Sequence, residues 1–206
     1  MKWKVCGMRE SKNCEEVAQV NPDFMGFIWA KKSPRYVGED YVIPATIPNH
    51  IQKVGVFVNE KVDKIIELSK SAGFTWVQLH GEEGDDEIDT LHKAGLKVIK
   101  ALSVATRADV DEVNKFVNLP DYFLFDTKKG KEVGGTGERF DWNILENYKL
   151  NVPLILAGGL DENNLQEALT ISKKYPIEVL DFNSKLELSP GVKIVSKVSR
   201  VSEKLK

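Results

Sequence analysis

Pro153-Leu154-Ile155-Leu156-Ala157 runs straight into Gly158-Gly159, then into Asp161-Glu162-Asn163-Asn164 ahead of Leu165, Ala168 and Leu169. The first five residues are apolar on both faces, which suits a strand of a parallel sheet covered by helices, where neither face meets water. An antiparallel sandwich would show cleaner alternation of apolar and polar residues. Leu165, Ala168 and Leu169 share one face at helical spacing. The stretch therefore reads as strand, tight turn and covering helix, one unit of a parallel α/β fold.

The unit recurs. Short β-branched and aromatic runs lie at Trp3 to Cys6, Phe24 to Trp29, Val54 to Val58, Trp76 to His80, Val98 to Ser103, Tyr122 to Asp126, Val152 to Ala157 and Val179 to Phe182. Most are followed by an amphipathic stretch, such as Val62, Ile65, Ile66 and Ala72. Eight such units in 206 residues predict a single (βα)8 TIM barrel over 1–206, a parallel eight-stranded barrel with outer helices near the lower size limit of that architecture. The third, fifth and eighth helices are the clearest, the last with an apolar stripe of Ile194, Val195, Val198, Val201 and Leu205. The second is the weakest: Gly38, Pro44 and Pro48 fall within it, and a proline inside a helix costs roughly 3 kcal/mol, so a short or irregular connection is expected there.

Composition narrows the function classes. With 42% hydrophobic and 29% charged residues the chain can bury a sizeable core, and a net charge of −2 argues against a nucleic-acid or anionic-membrane partner. Two cysteines, Cys6 and Cys14, are too few for a disulfide framework and are not spaced with histidines as zinc ligands would be, so the expected compartment is a reducing cytoplasm. No signal or transit peptide is evident after Met1, and no window is long and apolar enough to span a bilayer.

A parallel barrel gathers its reacting groups at the strand C-termini. Those ends supply Cys6-Gly7, Ser33-Pro34-Arg35-Tyr36, Asn59, Gln78-Leu79-His80-Gly81, Asp126, Gly158-Gly159 and Asp181-Phe182-Asn183-Ser184. Cys6 is a candidate reactive group, although burial as a small hydrophobe is the commoner fate of a free cysteine. Arg35 is the one cation there with a planar fork suited to a carboxylate. His80 ranks second to Cys6 as a base, since an imidazole at a strand end is as often structural. Gly158-Gly159 alone reads first as a tight strand-to-helix turn; with the following helix N-terminus and with Asn183 and Ser184 on the neighbouring strand, a backbone phosphate site is the favoured reading. Gly134-Gly135-Thr136-Gly137 lies in a connection from Thr127 to about Asp141, long for a βα loop, and reads equally as a lid or as a surface excursion.

Six segments in register resemble the phosphoribosylanthranilate isomerase family along nearly the whole chain. They are Lys4-Val5-Cys6-Gly7-Met8, Ser33-Pro34-Arg35-Tyr36-Val37, Gly55-Val56-Phe57-Val58-Asn59, Val77-Gln78-Leu79-His80-Gly81, Phe125-Asp126 with Gly134-Gly135-Thr136-Gly137 and Phe140-Asp141-Trp142, and Leu156-Ala157-Gly158-Gly159-Leu160. The resemblance implies a barrel of tryptophan biosynthesis that isomerises N-(5-phosphoribosyl)anthranilate, a small-molecule phosphosugar, without metal or organic cofactor, as a monomer or homodimer. It also implies Cys6 as general base, Asp126 as general acid and Arg35 facing the anthranilate carboxylate. Gln78, His80, Gly134, Gly158, Gly159, Asp181, Asn183 and Ser184 complete the expected substrate contacts.

The chemistry suits that pair. An Amadori rearrangement needs a proton delivered to the furanose oxygen and another removed from the adjacent carbon, so one acid and one base suffice, with a bell-shaped pH dependence. A cysteine near 8.5 and an aspartate near 3.9 start on the wrong side of neutrality for these roles, so the environment must adjust the pair. Cys6 acts in this scheme as a base and never as a covalent nucleophile. The chain departs from the family pattern at Asp181-Phe182-Asn183-Ser184-Lys185 and at Val192-Lys193-Ile194. Two alternatives stay open: a sister aminoaldose–aminoketose isomerase of the histidine pathway or with dual substrates, and a non-catalytic sugar-phosphate-binding barrel.

Overall fold

The computed structural model describes residues 1–127 and 141–206. Eight parallel strands follow one another in chain order around a closed barrel: β1 (Lys2–Met8), β2 (Phe24–Ile28), β3 (Gln52–Phe57), β4 (Trp76–Leu79), β5 (Lys97–Val104), β6 (Tyr122–Thr127), β7 (Leu154–Leu156) and β8 (Ile177–Phe182). Pairing of Lys2 with Val179 through Val5 with Phe182 closes the ring between β1 and β8. Each of the eight runs expected from the sequence is a strand.

Side chains on a strand alternate between faces, so each strand feeds two separate packing layers. Trp3 and Val5 of β1, Phe27 of β2, Phe57 of β3, Val77 and Leu79 of β4 and Phe123 and Phe125 of β6 belong to the outer layer against the helices. Cys6, Phe24, Val54, Val56, Ile99, Ala101, Tyr122, Leu124, Ile155, Ala157 and Val179 form a second cluster, the barrel lumen. Edge-to-face contacts of Phe24 with Trp76 and Tyr122, at centroid distances of 5.4 and 6.3 Å, close the lumen at the strand starts. Every large apolar side chain buried in either layer contributes roughly 1.5–3 kcal/mol. Polar lumen positions fall toward the opposite end, and this division places the site.

The covering helices are uneven: α1 (Ser11–Ala18), α2 (Val62–Ala72), α3 (Asp85–Lys93), α4 (Arg107–Asp111), α5 (Leu165–Ile171) and α6 (Val195–Leu205). Helix α2, which follows β3, buries Ile65, Leu68 and Ala72, and α6 buries Val198 and Val201, as their periodicity predicts. After β2 no helix forms; Ile43, Ile47 and Ile51 are buried from an irregular segment, and Tyr41 packs on Phe27 and Trp29 to cover that side of the barrel. The helix after β5 is shorter than expected. It spans five residues, begins at a Thr106–Asp109 capping box, and gives way to a 3-10 turn over Glu112–Lys115. Val110, Val113, Asn114 and Val117 are weak helix formers, and Pro120 ends the segment. Residues 187–193 add a small antiparallel hairpin, β9 (Glu187–Ser189) and β10 (Val192–Lys193). No helix among the described residues is long and apolar enough to cross a membrane.

Candidate active site

Cys6 lies near the end of β1 with its side chain in the lumen, 4% exposed. It has room because its neighbour on β2 is Gly26: a Cβ there would stand 2.7 Å from Cys6 Sγ. Two residues below Cys6 on the same face is Lys4, fully buried. Its ammonium donates to Asp181 Oδ2 on β8 at 2.9 Å and to Gln78 Oε1 on β4 at 3.0 Å, and the second contact spans the lumen. Burial works against this charge, but Asp181, with Cys6 beside it, prevails and holds Lys4 above its ordinary value. For Cys6, burial prevails and holds the thiol above its ordinary value, with the Lys4 charge pulling it down as the largest opposing influence.

Gln78 is 2% exposed, and both ends of its amide are engaged, Oε1 by Lys4 and Nε2 by His80 Nδ1 at 2.9 Å. It therefore reaches the mouth through His80. His80 Nε2 stands 3.8 Å from Asp126 Oδ2, and burial, aided by Lys4 and Lys100, lowers the imidazole against the pull of Asp126, which keeps it neutral at neutral pH. Asp126, at the end of β6, is the more open partner, with its side chain 36% exposed and Oδ1 accepting from the Thr127 N–H at 2.8 Å.

Arg35, in the segment after β2, donates through Nε and Nη2 to the two oxygens of Glu187 at 2.8 and 2.6 Å. This fork-to-fork contact uses one edge of the guanidinium; Nη1 has no partner among the described residues. Lys193 donates to Glu187 Oε1 at 2.7 Å and to Asn183 Oδ1 at 2.8 Å, tying the hairpin to the end of β8. Burial opposes the charge on Glu187, but the hydrogen bonds from Arg35 and Lys193 hold it down at about 2. Asp181 is 8% exposed, and its Oδ1 is buried without a partner among the described residues.

Gly158 and Gly159 have φ of +94° and +65°, and a Cβ on Gly158 would meet Thr127 Oγ1 at 2.2 Å. Successive glycines at positive φ make a turn with no side chains over it, which leaves its backbone N–H groups open as a candidate anion nest. The neighbouring helix N-terminus contributes less than its sequence suggests. Helix α5 starts only at Leu165, and Asp161 Oδ1 already accepts from the N–H groups of Asn163 and Asn164. Ser184 is exposed beside this turn's strand neighbour, in the 3-10 turn Ser184–Leu186. Gly134 and the rest of its glycine-rich segment lie outside the described residues.

Lys4, Gly26, Glu187 and Lys193 escaped the inventory of strand ends. A signal was present for two of them. Period-two parity puts Lys4 on the same face as Cys6, and a glycine inside a strand, as in Phe24-Met25-Gly26-Phe27, marks a close approach. Glu187 and Lys193 lie on a hairpin that strand-end counting does not reach.

A closed parallel barrel with a thiol, a carboxyl group, an arginine and an anion nest at one mouth defines a barrel enzyme of acid–base chemistry on an anionic substrate. The family model described as N-(5'phosphoribosyl)anthranilate (PRA) isomerase matches residues 3–204. A relative of that name from Parabacteroides distasonis is 37% identical over 205 residues, covering 98% of this chain and 92% of its own. The solved phosphoribosyl anthranilate isomerase of Thermus thermophilus superposes with a TM-score of 0.86 at 25% identity, covering 100% of this chain and 98% of the other. Another isomerase of this kind, solved with reduced 1-(o-carboxyphenylamino)-1-deoxyribulose 5-phosphate, gives a TM-score of 0.81 at 26% identity, covering 98% and 97%. The chain belongs to the N-(5'-phosphoribosyl)anthranilate isomerase family.

Proposed function

We propose that Cys6 and Asp126 are the general base and general acid by which this isomerase of tryptophan biosynthesis converts N-(5-phosphoribosyl)anthranilate to 1-(2-carboxyphenylamino)-1-deoxyribulose 5-phosphate. The observation that carries the assignment is the placement of both groups at strand C-termini around one mouth, Cys6 on β1 and Asp126 on β6. Asp126 delivers a proton to the ring oxygen, which opens the furanose. The Cys6 thiolate then takes the proton from the adjacent carbon, and the enolamine tautomerises to the aminoketose. Neither step needs a covalent bond to the enzyme.

The free Nη1 side of Arg35 suits the anthranilate carboxylate while Glu187 holds the other edge. The phosphate fits the nest at Gly158 and Gly159 with Ser184 alongside, and Asn183 lines the same end. Asp181 Oδ1 offers an acceptor to a sugar hydroxyl, and His80, set by Gln78, borders the acid. The enzyme works in the cytoplasm on a free phosphosugar, as a monomer or a homodimer.

Fluorescence-monitored turnover of phosphoribosylanthranilate tests the pair. Cys6→Ala and Asp126→Asn should each lower kcat by about 10²–10⁴ with circular dichroism unchanged. Retention of most activity in either variant rejects that residue's role. Turnover of the histidine-pathway aminoaldose at comparable kcat/KM would replace the single-substrate reading with a dual one.

A further inference from the structure

Lys4 is an expensive group to place where it is. A fully buried ammonium is tolerated only when paired, and the barrel provides Asp181 and Gln78 as partners at 2.9 and 3.0 Å. An apolar residue would fill the lumen without that difficulty. The position of the charge is therefore informative: it stands between the two groups that handle protons, next to Cys6 along β1 and joined through one amide to the ring beside Asp126.

We propose that Lys4 is a positioning residue for both halves of the acid–base pair, presenting a fixed cation to the Cys6 thiolate and, through Gln78, holding the His80 ring in one tautomer beside Asp126. The inference rests on the assignment of Cys6 and Asp126 as base and acid.

The second half follows from donor counting. A lysine ammonium only donates, so the Gln78 atom facing it is Oε1 and the amide has one orientation. Its Nε2 then donates to His80 Nδ1, which must accept, so the neutral ring carries its proton on Nε2, the nitrogen turned to Asp126. With Nε2 already protonated, His80 cannot draw the acid's proton away. The first half is electrostatic. The charged groups acting on Cys6 are Lys4 on its own strand, Asp181 on β8, Lys193 on β10 and Arg35 from the segment after β2. Lys4 has the largest effect among these charges, it favours the thiolate, and Asp181 opposes it.

The test reads Cys6 and His80 directly in the full-length protein. Iodoacetamide labelling of Cys6 as a function of pH, followed by peptide mass spectrometry to separate it from Cys14, gives the thiolate profile. Removing a neighbouring opposite charge moves a pKa by about 1–3 units, so Lys4→Met should shift the midpoint upward by about one pH unit or more. Lys4→Met with Asp181→Asn, which leaves no orphan carboxylate and guards against misfolding, should shift it upward by less. Asp181→Asn alone should not raise it. Nitrogen-15 NMR of His80 should show Nε2–H in the wild type and a tautomer mixture in Gln78→Leu. A Lys4→Met/Asp181→Asn profile that coincides with wild type, an Asp181→Asn midpoint raised as far as that of the double variant, or a wild-type ring protonated on Nδ1 would each overturn the proposal. None of these readouts uses turnover, so an active Cys6→Ala enzyme would reject the base assignment while leaving the labelling result intact.

Discussion

The two sides of the mouth solve opposite problems. On the base side, Cys6 is 4% exposed and stands among the buried cations Lys4 and Lys193, with Gly26 shaped to admit its sulfur. On the acid side, the Asp126 side chain is 36% exposed, with the Thr127 N–H and the His80 ring as its described neighbours. Taking a proton from carbon needs a base held at one point, and a dry, crowded pocket supplies that. Proton delivery to an ether oxygen tolerates a more open donor. The base side should therefore be sensitive to shape, and the acid side to chemistry.

A methyl group is the severest test of that contrast. In Gly26→Ala the new Cβ would lie 2.7 Å from Cys6 Sγ and 3.3 Å from both the Cys6 Cα and Lys4 Cε, so the sulfur must be displaced. Displacing a reacting atom by about 1 Å costs on the order of 10²-fold, so kcat should fall by about that factor while the fold persists. Steady-state turnover with a thermal melt checks both. A wild-type kcat in this variant would show that the thiol pocket is loose and would remove half of the contrast.

The acid side should forgive the comparable change. Asp126→Glu keeps the carboxyl and moves it outward by one methylene into a partly open space, so the loss should be about tenfold, well short of that for Asp126→Asn. Equal losses in the two variants would show the acid to be as tightly placed as the base.

The sequence and structure agree best where a rule of period applies. Recurrent apolar and β-branched runs located all eight strands, and the strand ends located Cys6, His80 and Asp126. Helix α4 fell short of its expected length because Val110, Val113 and Asn114 favour other conformations, a local weakness that an apolar stripe conceals. The Arg35–Glu187–Lys193 cluster was illegible for a different reason. Its members are 152 and 6 residues apart and meet only because a hairpin folds back over the end of β8. Lys4 lay between these cases: parity placed it in the lumen, but only three-dimensional contact shows that Asp181 and Gln78 receive it.

That hairpin cluster belongs to the base side and extends its rigidity to the substrate's carboxylate. Arg35→Lys keeps the charge and discards the fork, so one ammonium must serve both Glu187 and the ligand. KM should rise about tenfold with kcat within a few-fold of wild type, as read from initial rates across substrate concentration. A fall in kcat at unchanged KM would place Arg35 in the chemical step instead.

The smallest effect concerns stability alone. Glu187 is held at about 2, below the ordinary 4.5 of a glutamate, because Arg35 and Lys193 both favour its ionised form. A depressed carboxylate stabilises the fold above its unfolded value and loses that contribution as pH falls through the folded one, so the sensitive window runs from 4.5 down to about 2. In that window the wild type should lose stability more steeply than Glu187→Gln, and at neutral pH the variant should be weaker by on the order of 1–3 kcal/mol. Urea midpoints measured at several pH values compare the two slopes. Parallel slopes would mean that the hairpin carboxylate is solvated in solution, and the base side would then be rigid around Cys6 but open at Arg35.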